Sequence, residues 1–173
     1  SIQSKIVLAF SQTNDPTGDW NLYVVEGNPF NKAEWSDYPM MATTKEDLYY
    51  TINLVKNFTP WQVGFVQTLI WHFNKKSGYD GGTLTSTMYS DIGHGGKPIR
   101  NLIPAKGGSS IKEPNMYFLS NRNFDTSNDT IFLVEVTNTQ QSGNAEVKVK
   151  VSKSDRTYFV PPNAQQAAGL VLN

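Results

Sequence analysis

A four-part pattern of short apolar segments recurs along the chain, and it restricts the fold more than any other feature. The first segment appears as Ile6-Val7-Leu8-Ala9-Phe10-Ser11, Leu69-Ile70-Trp71-His72-Phe73-Asn74 and Ile131-Phe132-Leu133-Val134-Glu135-Val136, with starts 63 and 62 positions apart. A second follows in phase at Trp20 to Glu26, Thr83 to Tyr89 and Ala145 to Val151. Within it, Glu146 to Val151 alternates with period two, as a strand with one buried and one wet face does. A third, at Tyr38 to Ala42, Ile103 to Lys106 and Pro161 to Ala164, opens around a proline each time. The fourth occurs twice, at Leu48 to Asn53 and Met116 to Asn121.

Four antiparallel strands per period is the unit of a β-propeller blade. At this spacing the chain holds about 2.5–3 blades of an incomplete ring, because closed propellers take about four to eight. The expected fold is therefore all-β, part of one propeller domain over 1–173. Its approximate units are 1–37, 38–101 and 102–160, with 161–173 starting the next. On this reading the chain is a piece of a longer polypeptide. The alternative is a β-sandwich built from the same strands, which needs no missing residues.

Composition agrees with strands and turns. Asn, Ser and Thr together number 45, aromatics reach 12% and charged residues only 17%. No stretch of 12 residues has a clean helical apolar face free of Gly and Pro, so helix is expected to be scarce. Thr43 to Leu48 reads as a polar turn before Tyr49. In Asn14-Asp15-Pro16-Thr17-Gly18-Asp19, Asp15 is placed to accept from backbone N–H groups two residues on. Pro16 sets the first φ, Gly18 is expected to take a φ other residues resist, and Trp20 opens the returning strand. Asp37 is expected to close the entry to the next unit. Asn123 to Asp129 and Thr139 to Asn144 read as hairpin ends, and Gly93 to Lys97 and Gly107-Gly108 as open loops.

The 15 basic and 15 acidic residues cancel, so no excess positive charge faces a phosphate backbone and nucleic acid is not an expected partner. The longest apolar stretch, Val63 to Phe73, is interrupted by Gln67, Thr68 and His72, which argues against membrane insertion. With no Cys and two His 22 positions apart, a zinc site would need carboxylate help. No cofactor is implied beyond calcium, for which Asp15, Asp19, Asp125 and Asp129, in loops rich in Asn and Thr, are the candidates. None has EF-hand spacing, and solvated turn residues are the competing explanation.

The stretch Ser11-Gln12-Thr13-Asn14-Asp15-Pro16-Thr17-Gly18-Asp19-Trp20, then Trp35-Ser36-Asp37-Tyr38-Pro39 and Tyr49-Tyr50, resembles a pattern in large secreted bacterial β-propeller proteins, many of them Bacteroidota cargo of the type IX secretion system. Asn115-Met116-Tyr117-Phe118-Leu119-Ser120 before Ile131 to Val136 resembles the following blade. The similarity covers about residues 6–151, and its specific part is about ten residues. Met40-Met41-Ala42 stands where Lys-Leu-Gly commonly follows the proline. The resemblance implies a propeller fold and a secreted or cell-surface setting, and it carries over no catalytic residue.

His72 reads as a hydrogen-bonded or half-exposed strand histidine, pointing opposite to Trp71 and Phe73. His94, among glycines, has an oxyanion-site flavour, but no Gly-x-Ser-x-Gly elbow accompanies it and no catalytic residue is assigned. Most of Trp20, Trp35, Trp61, Trp71, Tyr38, Tyr49, Tyr50, Tyr79 and Tyr89 are expected in the core between units. The exception is Asn57-Phe58-Thr59-Pro60-Trp61-Gln62, an insertion that puts Phe58 and Trp61 in a candidate ligand-contact loop. The expected function is a binding or scaffolding module whose partners are the remainder of the same polypeptide and another cell-surface protein or glycan. The alternatives are a secreted hydrolase using loop carboxylates on glycan or peptide, and a free-standing carbohydrate-binding or adhesive sandwich.

Overall fold

The computed structural model of the chain describes residues 4–106, 113–160, 162, 164–165 and 171–172. Its elements are almost all antiparallel strands. β1 (Lys5–Ser11) and β2 (Trp20–Glu26) form a hairpin in continuous register from Lys5↔Glu26 to Ser11↔Trp20. β3 (Glu34–Thr43), β4 (Asp47–Lys56), β5 (Phe65–Asn74) and β6 (Ser86–Tyr89) make a central sheet in chain order. α1 (Trp61–Gly64) and α2 (Lys75–Tyr79) are single turns within its connections. A short hairpin of β7 (Gly93–His94) and β8 (Lys97–Pro98) follows. β9 (Ile103–Pro104), β10 (Met116–Asn121), β11 (Asn128–Val136) and β12 (Val147–Tyr158) then form a second four-stranded sheet, again in chain order. Last comes β13 (Ala164–Gln165) paired with β14 (Val171–Leu172). None of these sheets closes on itself, and helix is as scarce as the sequence predicts.

The segments stack as three layers with the central sheet in the middle. β4 is buried on both faces, which is why its sequence Asp-Leu-Tyr-Tyr-Thr-Ile-Asn-Leu-Val reads as a continuous run rather than an alternation. Leu48, Ile52 and Leu54, with Leu69 and Phe73 of β5, pack against Ile6, Leu8 and Phe10 of the hairpin. On the opposite face, Tyr49 and Ile70, with Ala42, pack against Met116, Phe118, Phe132, Val134 and Val136. Ile92, Ile99 and Leu102 from the connecting segment fill the same layer.

Several polar groups on that second face are partnered, across the layer or within the sheet. Thr51 Oγ1 donates to the Leu102 carbonyl at 2.9 Å, and Asn53 Oδ1 accepts from Thr68 Oγ1 at 2.7 Å and from Asn101 N at 3.2 Å. Asp47, wholly buried at the start of β4, accepts from the Gln140 backbone N–H at 3.1 Å through Oδ2. Gln140 belongs to the β11–β12 connection, so this bond ties the two four-stranded sheets together. His72 Nε2 lies 3.0 Å from the same oxygen, and the His72 ring stacks on Tyr49 with centroids 4.3 Å apart. Burial, with the Asp47 charge and Tyr89 adding to it, holds the Tyr49 phenol protonated far above its ordinary range.

The layers share one orientation. β3 runs beside β9, the β11–β12 connection packs on β5, and Gln140 reaches Thr87 of β6, so corresponding strands lie over one another. The face that the C-terminal sheet turns towards its neighbour is therefore equivalent to the face that the central sheet turns towards the hairpin. Both end faces are uncovered among the described residues. Val7, Leu22 and Val24 are exposed on the hairpin, as are Ile103 and Leu119 on the C-terminal sheet. β1 pairs with β2 on one edge and with no described strand on the other, whereas β5 and β11, at corresponding positions, are paired on both.

Several sequence expectations change. The aromatic residues expected in the core divide: Tyr49 is fully buried, Tyr50, Trp71 and Tyr89 are half-buried, and Trp20, Trp35, Tyr38 and Tyr79 are exposed. The buried large side chains are instead Phe73, Phe118, Phe132 and aliphatic residues. Gly18 has no positive φ; a Cβ there would sit 3.3 Å from both the Asp15 carbonyl oxygen and Thr13 Oγ1, so the site needs its small size. Asp37 lies inside β3, which starts at Glu34, at a bulge where Tyr38 takes φ +53° and Pro39 removes no ladder donor. Gly93 to Lys97 is a two-residue hairpin with Gly95 at φ +61° and Gly96 at φ +73°, as a type I′ turn requires. Gly107-Gly108 lies outside the described residues. Pairing across β4–β5 and β10–β11 matches Leu69 with Phe132 rather than Ile131, a one-residue offset that exchanges the faces of a strand.

Replacing Asp47 removes the acceptor of the half-buried Gln140 N–H and the close polar neighbour of His72. Asp47→Ala is expected to destabilise the chain by about 1–3 kcal/mol for each donor left unpaired. Equilibrium denaturant unfolding of the two proteins measures it, and an unchanged midpoint would show that the bond does not hold the layers.

Candidate functional site

Antiparallel order places alternate connections at alternate ends of the stack. One end carries the β2–β3 loop (27–33), the β4–β5 loop (57–64), the segment after β6 (90–102) and the β10–β11 loop (122–127). These are joined to one another. The Asn57 N–H donates to the Ala33 carbonyl at 2.9 Å, and the Asp91 N–H donates to Gln67 Oε1 at 3.0 Å. The Arg122 guanidinium donates to the carbonyls of Pro98 at 2.8 Å and His94 at 3.0 Å, fixing the glycine hairpin from the neighbouring sheet.

A groove of about 520 Å³ opens at this end, where Lys32 and Gln67 face Asp91, His94 and Lys97 across the hairpin. That volume is in the range of small-ligand sites. Neither Lys32 nor Lys97 has a carboxylate partner among the described residues. The tip glycines have no neighbour within 4 Å of an added Cβ, so the hairpin's upper edge is open.

Next to the groove, the 57–64 loop projects Phe58 into solvent with 96% of its surface exposed. Its φ is +57°, a region that costs a bulky L-residue about 1–3 kcal/mol. Val63 on α1 is also exposed, which makes a small apolar patch. Trp61 opens α1 on the same loop, and its side chain lies outside what the structure describes. Phe58 is thus exposed on the insertion that the sequence singles out. The groove beside it is not legible in the sequence, because its lining comes from three separate segments; the run Gly93-His94-Gly95-Gly96 is the available signal.

The four calcium candidates are not brought together. Asp15 and Asp19 lie in the β1–β2 turn at the far end, and Asp125 and Asp129 lie at or next to the β10–β11 loop. Hydrogen bonds from the Thr17 hydroxyl and N–H hold the Asp15 carboxyl below its usual pKa. Asp129 is bound by Lys153 Nζ at 2.7 Å, and Asp125 by Asn128. Among the described residues no group of three or more His, Asp or Glu side chains is gathered as metal ligands. His72 is buried against Asp47 within the central sheet, and the His94 ring lies 5.9 Å from that of Phe132, with no described hydroxyl or carboxylate bonded to it.

Because Phe58 combines a strained backbone with an unpacked side chain, Phe58→Gly relieves the strain without removing buried area. Stability is expected to stay the same or to rise by up to about 1 kcal/mol, after the extra chain entropy of glycine is counted. Thermal unfolding measures it, and a drop of 2 kcal/mol or so would place the ring in the core. Comparison with known proteins leaves this site to be judged on its own geometry: no family model, no curated protein and no solved structure matches the chain.

Proposed function

We propose that the chain is a run of propeller-type blades that serves as a binding scaffold, holding a contact surface at the end where the 57–64 loop and the glycine hairpin meet. The observation that carries this is the directional stack. Each layer meets the next through equivalent faces, the central sheet is covered on both sides, and apolar faces remain open at both ends among the described residues. A two-layer sandwich leaves each sheet one wet face, whereas blades in a ring are covered on both. The hairpin corresponds to the third and fourth strands of a sheet, which supports further strands pairing on the free edge of β1. In this reading the remainder of the same polypeptide supplies those strands and the missing layers.

The function follows from rigidity. Layers bound by continuous apolar packing hold loops from different segments at fixed separations, which suits recognition of a cell-surface protein or a glycan. The resemblance of residues 11–20 and 35–39 to exported propeller proteins supports a secreted or surface location.

Two measurements test this. In a longer polypeptide that carries the adjoining sheets, Leu22→Asp and Leu119→Asp each bury an unpaired charge and should cost several kcal/mol, roughly the penalty for an uncompensated polar group. In the isolated 173-residue chain the same changes should be nearly silent, since both side chains are already wet. Equal, small effects in both settings would remove the ring reading. For the contact surface, Phe58→Ala with Val63→Ala should weaken capture of partners found on glycan and surface-protein arrays while leaving Tm unchanged. Undiminished capture would move the contact elsewhere.

A further inference from the structure

The two internal contacts between layers follow one rule. Asn21 Nδ2 on β2 donates to the carbonyls of Gly78 at 3.1 Å and Tyr79 at 2.9 Å, and the Tyr23 hydroxyl donates to the Gly78 carbonyl at 3.0 Å. One layer on, Gln140 Nε2 donates to Thr87 Oγ1 on β6 at 3.4 Å, and the Tyr89 hydroxyl donates to the Ala145 carbonyl at 3.5 Å. In both cases the connection between the third and fourth strands of one layer lies on the fourth strand of the layer before it, at two alternate positions. Asn21 and Tyr23 pair with Phe10 and Leu8, as Thr87 and Tyr89 pair with His72 and Ile70.

This register identifies equivalent side chains in all three layers. Val7, Ala9 and Leu22 of the hairpin stand where Leu69, Trp71 and Met88 stand in the central sheet and Phe132, Val134 and Val149 in the C-terminal one. Those of the two sheets pack into the clusters that join each sheet to the layer before it. Val7 and Leu22 instead are 65% and 69% exposed. At the other end of the stack, Ile131 and Leu133 hold the receiving positions, equivalent to Thr68 and Ile70, and Lys148 and Lys150 stand where Thr87 and Tyr89 do. Each lysine Nζ stays beyond hydrogen-bond distance of its nearest acid, Glu146 at 3.9 Å for Lys148 and Glu135 at 3.7 Å for Lys150. Their donors are therefore open to the acceptors of a covering layer, as those of Asn21, Tyr23 and Tyr89 are used within the chain.

We propose that this C-terminal face receives the β1–β2 hairpin of a second copy of the chain, head to tail. Val7, Ala9 and Leu22 of the incoming copy cover Ile131 and Leu133, repeating an apolar contact already made twice within the chain. Its 12–19 turn takes the place held internally by the 75–85 and 137–146 connections, and the turn's carbonyls with the carboxyls of Asp15 and Asp19 supply acceptors for Lys148 and Lys150. The contact is heterologous, one face against a different one, so each copy can both give and receive. It is also small. Two strands cover half of a four-stranded sheet, which places it among transient interfaces that fill at high concentration and leave the dilute chain monomeric. The proposal rests on the directional stack described above and names a partner for its open faces. A following layer in a longer polypeptide occupies the same face and excludes the second copy.

The test is sedimentation velocity of the 173-residue chain from about 10 μM to about 1 mM, a range that spans a weak contact. The mean mass should rise across it. Leu22→Asp blocks the giving face and Leu133→Asp the receiving one, each by burying an unpaired charge, so each protein alone should stay monomeric, its affinity lowered about tenfold or more. Mixed, the two keep one intact face apiece and should form a 1:1 dimer that grows no further. Lys150→Glu, at an exposed position, turns the donor into an acceptor and serves as the receiving-face variant if Leu133→Asp fails to fold. A wild-type chain still monomeric at the highest concentration overturns the proposal. So does wild-type association by either variant, or a mixture that stays monomeric. If the wild-type chain is monomeric while Leu22→Asp and Leu119→Asp still destabilise the longer polypeptide, self-docking falls and the ring reading stands.

Discussion

The structure depends on burial of both faces of β4 and β5. A strand covered on one side can tolerate a solvated residue at every second position. These two cannot, so they carry apolar residues on one face and, on the other, apolar residues interspersed with polar groups, several of which find partners in the next layer. Thr51, Asn53, Thr68 and Asp47 sit on that second face, and their bonds to the 101–102 segment and to Gln140 specify how the C-terminal sheet is laid down. Apolar contact supplies the drive for stacking, and the directional bonds fix its register.

From this packing follows the arrangement of the loops. Corresponding strands overlie one another, so connections of the same kind gather at the same end. Four segments far apart in the chain thereby become one surface. Cross-links between layers, Arg122 to the hairpin carbonyls and Arg100 between Phe65 and Phe124, hold that surface together. A surface built from several layers is rigid relative to any single loop, which is what a recognition site needs. It also explains why Phe58 is kept in a conformation that phenylalanine resists: the anchors at Asn57 and Pro60 determine the loop's path, and the side chain contributes nothing to the core.

Much of the fold was legible from residue patterns. A short apolar run marked the strand at Ile6 to Phe10, alternation marked the one at Val147 to Val151, and proline and glycine marked the turn at 14–19. The polar hairpin ends at 123–129 and 139–144 also stand where they were expected. Facing was harder to read. A copy aligned one residue out still looks like a strand, and only pairing across β10–β11 shows which of Ile131 and Phe132 turns inward. The tryptophans misled for a related reason: size suggests burial, but Trp20 and Trp35 occupy positions whose neighbouring layer or strand leaves them partly wet.

What the sequence determined alone is local: an all-β chain, its strand positions, its scarcity of helix and an exposed aromatic insertion at Phe58. These rest on periodicity and backbone preference, which act over a few residues. What only tertiary structure decided is the company each residue keeps. Asp47 meets Gln140 across 93 positions, Arg100 is clasped between Phe65 and Phe124, and the groove takes its lining from segments as distant as Lys32 and Pro98. Such meetings depend on how whole layers overlie one another. No pattern within a single segment encodes them.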